Sequence, residues 1–302
     1  MHIRIGTRSS DLAIKQSLSV SKHLSSMGHK TELVKIDTVG DLSNNLNFSE
    51  IGPIGIFVKE IEKALIEGKV DIAVHSCKDL PATSSEGLTI AAISERIDPA
   101  DIIVANRDYV DSSLGFIPLK ENSVIGTSSV RRKSWLEYFR DDIKIKPIRG
   151  NVPTRIKKIN KGYDAIVLAN AGIQRLLDNK INLDLEGLEI IRLDPEIFIP
   201  APSQGAIAIQ CHERNTNIKK IIESINDSDA RRNVDLERLL LAQFEGGCNL
   251  PFGSYCFPDT DDNQYIKLVS RLELNGKIIE SRVRGKNRKE LFKKTMSILI
   301  KK

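Results

Sequence analysis

The chain has 302 residues, which is enough for two or three domains that each bury a core of their own. Hydrophobic residues make up 40% of the chain and charged residues 28%, so the composition excludes a disordered or fibrous protein. The net charge is only +5, and this excess is too small to indicate nucleic-acid binding by itself.

The N-terminal stretch MHIRIGTRSS enters a strand pattern directly, without the apolar run of a signal peptide. No apolar run in the chain reaches the length of a membrane span. Cys77, Cys211, Cys248 and Cys256 show no CxxC pairing, so we expect free thiols and no zinc site. Together these features predict a cytoplasmic protein without a metal.

Strand and helix patterns alternate through the first part of the chain. HIRIG predicts a strand, SDLAIKQSLSVSKHLSSMG a helix with apolar residues at helical spacing, and TELVKIDTV a second strand. IFVKEIEKALIEG and VDIAVHS then repeat the helix and the strand. This order is typical of βαβ units around a parallel sheet.

A second α/β series follows the Pro-containing segment ERIDPADI. The predicted strands are DIIVANR, SVIGTSS, IKIKPIRG and YDAIVLAN, with helices from Val130 to about Arg140, after Asn151 and from Ala171. After a second Pro-containing segment, DPEIFIPAPSQG, we expect the strand AIAIQC to return to the first domain. The chain would then pass between the two lobes twice, once in each Pro-containing segment. Two such connections predict a hinge between the lobes, with a ligand in the cleft at the carboxyl ends of the strands.

The last part of the chain predicts a small α+β domain. A long helix, ARRNVDLERLLLAQFEGG, precedes two strands around ELNGKIIE, where Asn275-Gly276 is a strong hairpin signal. A basic amphipathic helix ends the chain, and we expect its Lys face to be solvated rather than to bind nucleic acid. The predicted domains are residues 1–96 with 204–223, residues 99–200, and residues 226–302.

Cations recur beside predicted helix starts. Arg131 and Arg132 of GTSSVRRKSW lie in a first helical turn, where each unpartnered cation costs about 0.3–1 kcal/mol. GTRSS, HSCKD and RGNVPTR show similar combinations of a cation with a capping side chain. Two interpretations stay open, since each cation can pair with a nearby carboxylate or all four stretches can form a shared anion site.

Two further residues are candidates for chemistry. Asp79 is either an ion-pair partner of Lys78 or Arg8, or a desolvated group that stabilises a positive charge formed during a reaction. Cys248 lies on the Gly-flanked loop EGGCNLPFG and is either a buried thiol or a nucleophile or attachment point.

Seven stretches, in order along the chain, resemble the porphobilinogen deaminase family, whose members are also called hydroxymethylbilane synthases. They are GTRSSDLAIKQ, VDIAVHSCKDLP, IGTSSVRR, IRGNVPTR, YDAIVLANAGIQRL, PSQGAIAIQ and EGGCNLPFGSY. The resemblance implies an α/β fold of two lobes similar to type II periplasmic binding proteins, plus a small α+β C-terminal domain. It also implies an enzyme that joins four porphobilinogen units head to tail onto a covalent dipyrromethane cofactor, with loss of ammonia, and then releases the linear product by hydrolysis.

The resemblance assigns roles to residues of this chain. Asp79 matches the catalytic aspartate, Cys248 matches the cysteine that holds dipyrromethane through a thioether, and Phe57 and Gln204 match positions near the cofactor and the cleft. The positions that match carboxylate-binding residues are Arg8, Ser10, Lys78, Thr127, Ser128, Ser129, Arg131, Arg132, Arg149 and Arg155.

One departure from the family concerns the predicted lid at residues 41–56, where Glu50 and Ile54 stand at places that often hold Lys. We therefore assign the lid no binding role.

We expect a monomer that acts on the small molecule porphobilinogen, without nucleic-acid or membrane partners. The alternative is a two-lobed protein that binds a small carboxylate without catalysis, but such a protein gives the Cys248 loop no role.

Overall fold

The computed structural model describes residues 1–37, 58–244, 250–262 and 264–300. Its strands in chain order are β1 (His2–Thr7), β2 (Lys30–Lys35), β3 (Ile72–Ser76), β4 (Leu88–Ile93), β5 (Asp101–Asn106), β6 (Val124–Gly126), β7 (Lys144–Lys146), β8 (Ala165–Ala169), β9 (Leu188–Arg192), β10 (Ile207–His212), β11 (Phe252–Pro258), β12 (Ile266–Leu274) and β13 (Lys277–Gly285).

The α-helices in the described part of the chain are α1 (Asp11–Ser26), α2 (Lys59–Ile66), α3 (Val130–Phe139), α4 (Val152–Ile156), α5 (Asn170–Asp178), α6 (Thr216–Ile222), α7 (Ser228–Leu241) and α8 (Arg288–Leu299). Short 3-10 turns include Cys77–Asp79, directly after β3. Among the described residues, no helix is long and apolar enough to cross a membrane.

The chain divides into two compact units, Met1–Ile97 with Ser203–Cys248 and Asp98–Pro202 with Asn249–Lys302. The first unit contains a five-stranded sheet in the order β2-β1-β3-β10-β4. Strands β1, β2 and β3 are parallel, whereas β10 runs antiparallel to both β3 and β4. Apolar residues of these strands pack against α1 and α6, with Ile5, Ile72 and Ile209 fully buried.

The second unit contains a five-stranded sheet in the order β7-β6-β8-β5-β9. Here β5 is the antiparallel strand, and it pairs with β8 and β9. Its core is built around Trp135 and Phe198, whose side chains are fully buried among aliphatic residues of the sheet. The predicted α/β class, with a small additional C-terminal sheet, is confirmed by these elements.

The C-terminal sheet is antiparallel in the order β11-β12-β13. The predicted hairpin is confirmed, because Asn275 and Gly276 connect β12 to β13 with φ values of 53° and 74°. The two strands predicted around this hairpin are therefore present, and β11 is a third strand that was not predicted. Gly253 and the nearby Pro251 are residue types that are common in turns, but Gly253 lies in β11, where a Cβ would lie 2.7 Å from the Ile199 carbonyl oxygen. Glycine there allows the strand to approach that segment closely.

Helix α7 and the C-terminal sheet belong to different units. Ala230 and Val234 of α7 pack in the first unit against Cys77, Leu80 and Ile93. The three-stranded sheet is part of the second unit, where Arg271 of β12 lies 5.2 Å from the ring centroid of Trp135. A separate domain over residues 226–302 therefore stays a prediction.

Candidate functional site

In the first unit, polar side chains follow two parallel strands where these strands end. Strands β1 and β3 pair directly, so the residues after them lie at one edge of the sheet. Arg8 and Ser10 follow β1, and Ser10 begins α1 by accepting a hydrogen bond from the Ala13 N–H at 3.4 Å. Lys78 and Asp79 follow β3 in the 3-10 turn. The structure thus brings these four predicted residues to the same sheet edge.

The antiparallel strand β10 adds Gln204 to this edge. Because β10 runs against β3, with Ile207 opposite Ser76, the residues before β10 lie beside the residues after β3. Lys78 Nζ donates a hydrogen bond to Gln204 Oε1 at 3.1 Å. The Cys77 N–H donates to the Ala206 carbonyl at 3.0 Å, which fixes the two segments against each other.

Asp79 and Arg8 differ in their surroundings. The Asp79 side chain is exposed at the end of the 3-10 turn, so the described residues do not supply the desolvation that one interpretation of the sequence required. Arg8 is half-buried close to His75. Burial lowers the pKa of His75 to about 4, a side-chain hydrogen bond with Gln210 opposes this by raising the pKa, and the Arg8 charge lowers it further. His75 is therefore neutral at pH 7.

In the second unit, the hydroxyl residues after β6 begin helix α3. Ser129 is the N-cap and accepts from the Arg132 N–H at 3.4 Å, while the Ser129 N–H donates to Thr127 Oγ1 at 3.2 Å. Ser128 Oγ donates to the Ile148 carbonyl at 2.8 Å. These contacts attach the start of α3 to the segment after β7, which ends beside β6.

Arg131 and Arg132 both pair with Asp101. Arg131 Nη2 lies 2.8 Å from Asp101 Oδ2, and Arg132 Nη2 lies 2.7 Å from Asp101 Oδ1. All three side chains are at least nine-tenths buried. Asp101 is the first residue of β5. Because β5 runs antiparallel to β8, it begins at the sheet edge where β8 ends, and this brings Asp101 to the two arginines. Pairing with a carboxylate, one of the two interpretations left open, is thus observed for both arginines.

The charge of this trio does not balance. Two guanidinium groups share one carboxylate, so Arg131, Arg132 and Asp101 together carry one excess positive charge. Burial lowers the pKa of Arg131. The negative charge of Asp101 opposes this shift, and the positive charge of Arg132 adds to it. The excess charge lies at the N-terminus of α3 and favours an anion there.

Arg149 and Arg155 surround the start of α4. Asn151 is the N-cap of this helix and accepts from the Thr154 N–H at 2.9 Å. Arg155 Nε donates to the Gly150 carbonyl at 2.7 Å, which holds the side chain against the turn before the helix. Arg149 is exposed and Arg155 is half-buried. Within the second unit, both residues follow β7, which is parallel to β6.

Three residues that matter for the geometry were missed in the sequence. Asp101 is the partner of two arginines, and Glu237 and Arg96 hold the segment around Gln204. The sequence signal for Asp101 is a carboxylate directly before the apolar run IIVA in β5. Glu237 was signalled by a carboxylate on the apolar face of α7, three residues after the buried Val234.

Several predicted residues lie outside the described part of the chain. These are Cys248, Phe57, Glu50 and Ile54, together with the whole of the predicted lid at residues 41–56.

The described donors suit a ligand with several carboxylates. They include guanidinium groups, an ammonium group, hydroxyl groups and helix N-termini, located at the sheet edge of each unit. Guanidinium groups bind carboxylates through paired, charge-assisted hydrogen bonds. The donor chemistry therefore fits a dipyrromethane group, because pyrroles of this type carry carboxylate side chains.

Comparison with known proteins gives consistent results. A family model described as "Porphobilinogen deaminase, dipyromethane cofactor binding domain" matches residues 3–220. The porphobilinogen deaminase of Natranaerobius thermophilus is 39% identical over 260 residues, covering 84% of this chain and 79% of that protein. The porphobilinogen deaminase of Oceanobacillus iheyensis is 39% identical over 301 residues, covering 99% of this chain and 94% of that protein.

Among solved structures, the periplasmic VFT2 domain of BvgS from Bordetella pertussis is 16% identical, with a TM-score of 0.45, covering 74% of this chain and 86% of that domain. A likeness at this level carries no argument about function. The family model and the two relatives each match most of the chain, and all three carry the same family name. The chain belongs to the porphobilinogen deaminase family.

Proposed function

We propose that the protein is a hydroxymethylbilane synthase. It condenses four porphobilinogen units head to tail, with loss of ammonia, onto a covalently bound dipyrromethane, and releases hydroxymethylbilane by hydrolysis. The observation that carries this proposal is the family match over residues 3–220, which include the first six of the seven stretches described above. The names of the relatives favour this enzyme over a binding protein without catalysis.

The proposal assigns carboxylate binding to the cations and hydroxyl groups at the two sheet edges. Its support in the first unit is the position of Lys78, whose ammonium group is held by Gln204. Its support in the second unit is the excess positive charge of Arg131 and Arg132 over Asp101. The assigned residues are Arg8, Ser10, Lys78, Thr127, Ser128, Ser129, Arg131, Arg132, Arg149 and Arg155.

Asp79 is proposed as the catalytic carboxylate. It lies next to Lys78 at the end of the 3-10 turn, and its exposed side chain is accessible to a substrate. An ionised carboxylate at this place stabilises a cation that forms when the protonated amino group of the substrate leaves as ammonia. It also accepts the proton that the pyrrole ring loses when its aromatic state is restored.

Cys248 is proposed as the attachment residue, with Phe57 beside the bound group. When bound, dipyrromethane supplies the pyrrole carbon onto which the first substrate unit is joined. The described cysteines Cys77, Cys211 and Cys256 are buried, which makes them poor alternatives for a covalent attachment that must reach a sheet edge.

The test is the intact mass of the denatured, purified protein. We expect an excess mass of two linked pyrrole units in the parent protein and in a Cys211→Ser control, and no excess in Cys248→Ser. If the parent has the mass of the bare sequence, porphobilinogen is added and ammonia is measured. Without a gain of mass and without ammonia, the binding protein becomes the better hypothesis.

A cytoplasmic location and a monomeric state are part of the same proposal. The buried thiols of Cys77 and Cys211, which form no disulfide among the described residues, support a reducing compartment. Size-exclusion chromatography with light scattering tests the monomer, and fractionation of the source cells tests the location.

A further inference from the structure

The turn before β10 has an unusual backbone. Ser203 has a φ of 67° and Gly205 a φ of 95°, both in the left-handed region. A serine adopts this conformation only where its surroundings enforce it. A Cβ at Gly205 would collide with the carbonyl oxygen of Ile97, so the chain packs tightly on that side. This turn places Gln204, with 1% of its surface exposed, beside Lys78.

A buried ion pair holds the turn in place. Glu237 of α7 is fully buried and accepts hydrogen bonds from Arg96 Nη1 at 2.6 Å and Arg96 Nη2 at 3.1 Å. Glu237 Oε2 also accepts from the Ser203 N–H at 2.6 Å. Arg96 Nε donates to the Gln204 carbonyl at 2.8 Å. The two side chains thus bind the backbone on both sides of the Ser203–Gln204 peptide.

The other side of the turn contacts the segment after β3. Gln204 Oε1 accepts from Lys78 Nζ at 3.1 Å, and the Ala206 carbonyl accepts from the Cys77 N–H at 3.0 Å. A shift of the turn therefore moves the acceptor of the Lys78 ammonium group and the backbone that carries Lys78. The position of one charged group at the sheet edge depends on a chain of contacts that starts at Glu237.

A buried ion pair is a poor device for stability alone. Removing both charges from water costs free energy that the pair does not fully recover, and well-packed apolar side chains stabilise equally well. The hydrogen bonds of Arg96 and Glu237 are directed at one turn, and that turn carries Gln204, whose side chain accepts a hydrogen bond from Lys78.

We propose that Glu237 and Arg96 are positioning residues that fix the Gln204 turn and, through it, the Lys78 ammonium group that binds a substrate or cofactor carboxylate. This inference rests on the proposed function. The Glu237 side chain is fully buried and that of Arg96 is 9% exposed, so we expect both to act through the turn rather than by contact with the substrate.

The first test compares Glu237→Gln with Asp235→Asn. Asp235 lies on the same helix, is paired with Arg231 at 3.0 Å, and does not contact the turn, so it is a matched change of carboxylate to amide. We expect Glu237→Gln to lower kcat/KM for porphobilinogen about tenfold, mainly through KM, because a displaced ammonium weakens ground-state binding. Asp235→Asn should leave kcat/KM unchanged.

A double-mutant cycle separates positioning from general destabilisation. In a Gln204→Ala background, Glu237→Gln should cause no further loss of kcat/KM, because its effect passes through the Gln204 side chain. If Glu237→Gln does not fold, Arg96→Lys replaces it, since lysine keeps the charge but lacks the planar group through which Arg96 bonds both Glu237 and the Gln204 carbonyl. Additive losses in the cycle would overturn the inference.

A second measurement does not need activity. Hydrogen exchange of the amides of Ser203 and Cys77 should accelerate in Glu237→Gln and stay as in the parent in Asp235→Asn. Unchanged exchange at both amides, or a kcat/KM equal to that of the control, overturns the inference while the proposed function stands. A parent protein that releases no ammonia overturns the proposed function, and the inference falls with it.

Discussion

Asp101 Oδ1 accepts two hydrogen bonds from Arg132, from Nη2 at 2.7 Å and from Nε at 3.1 Å, at a site with no exposed carboxylate surface. Replacing Asp101 by Asn leaves Arg131 and Arg132 buried side by side without the carboxylate that pairs with both. We expect the free energy of unfolding to fall by about 3–5 kcal/mol, as for other buried pairs that lose one partner. Urea denaturation measures this change.

The matched control for Asp101→Asn is Asp142→Asn in the same unit. Asp142 also pairs with an arginine, Arg140, but 31% of its side chain is exposed. Water and salt screen such a pair, so the free energy of unfolding should fall less in Asp142→Asn than in Asp101→Asn. Equal losses for the two variants would show that the buried trio has no special role in stability.

Gly205→Ala tests whether the turn before β10 requires glycine. Gly28 has a similar left-handed φ of 84° with open space around it, whereas a Cβ at Gly205, with a φ of 95°, meets the Ile97 backbone. We expect Gly28→Ala to cost roughly 1–2 kcal/mol, the cost of a left-handed L-residue, and Gly205→Ala to cost more. Thermal and urea unfolding compare the two, and a cost at Gly205 no larger than at Gly28 contradicts the close approach.

The lowered pKa of His75 predicts how the free energy of unfolding depends on pH. Its pKa is lowered to about 4 in the folded protein from an ordinary value of 6.5, mainly by burial. Between these two values the unfolded chain binds more protons, so stability is fully present above about pH 6.5 and is lost as the pH falls towards 4. The loss attributable to this residue approaches about 1.4 kcal/mol per pH unit within that window.

The measurement for His75 is urea unfolding from neutral pH down to about pH 4.5, in the parent protein and in His75→Asn. The variant lacks a titrating ring, so its stability should fall less steeply than that of the parent. Parallel curves would mean that protonation of His75 does not oppose folding, in conflict with its burial.

Asp79→Asn tests the proposed catalytic carboxylate. Because the side chain is exposed, the substitution should leave the unfolding transition unchanged. Turnover of porphobilinogen should fall about 10²–10⁴-fold, the range typical for a lost acid–base group. The rate of ammonia release measures this effect, and the exposed Asp184→Asn serves as a control that should retain full activity. Full activity in Asp79→Asn would remove this residue from the mechanism.

The parallel strands and their connecting helices could be predicted because their signals are local. Apolar runs such as IAVHS and AIVLA indicate buried strands, and Ser10, Ser129 and Asn151 mark helix starts through their capping side chains. Strands β4 and β9 were not predicted. Both lie at a sheet edge and contain half-buried residues, and β9, with the sequence LEIIR, shows neither a continuous apolar run nor a clear alternation.

The partners within the site could not be predicted because they are distant along the chain. Asp101 reaches Arg132 through the antiparallel pairing of β5 with β8, and Glu237 reaches Arg96 through the packing of α7. Sequence patterns record which residues are cations or capping groups. They do not record which carboxylate each cation meets, since that depends on the order of strands in a sheet.

Strand β10 lies between β3 and β4, so β4 has no neighbour in its sheet until residues 207–212 have left the ribosome. The second sheet takes all five of its strands from residues 101–192. During synthesis from the N-terminus, the second sheet therefore has a full set of strands while the first still lacks its fourth position. The sheet that receives its first strands earliest is thus completed after the second sheet, and its apolar edge depends on protection from aggregation in the interval.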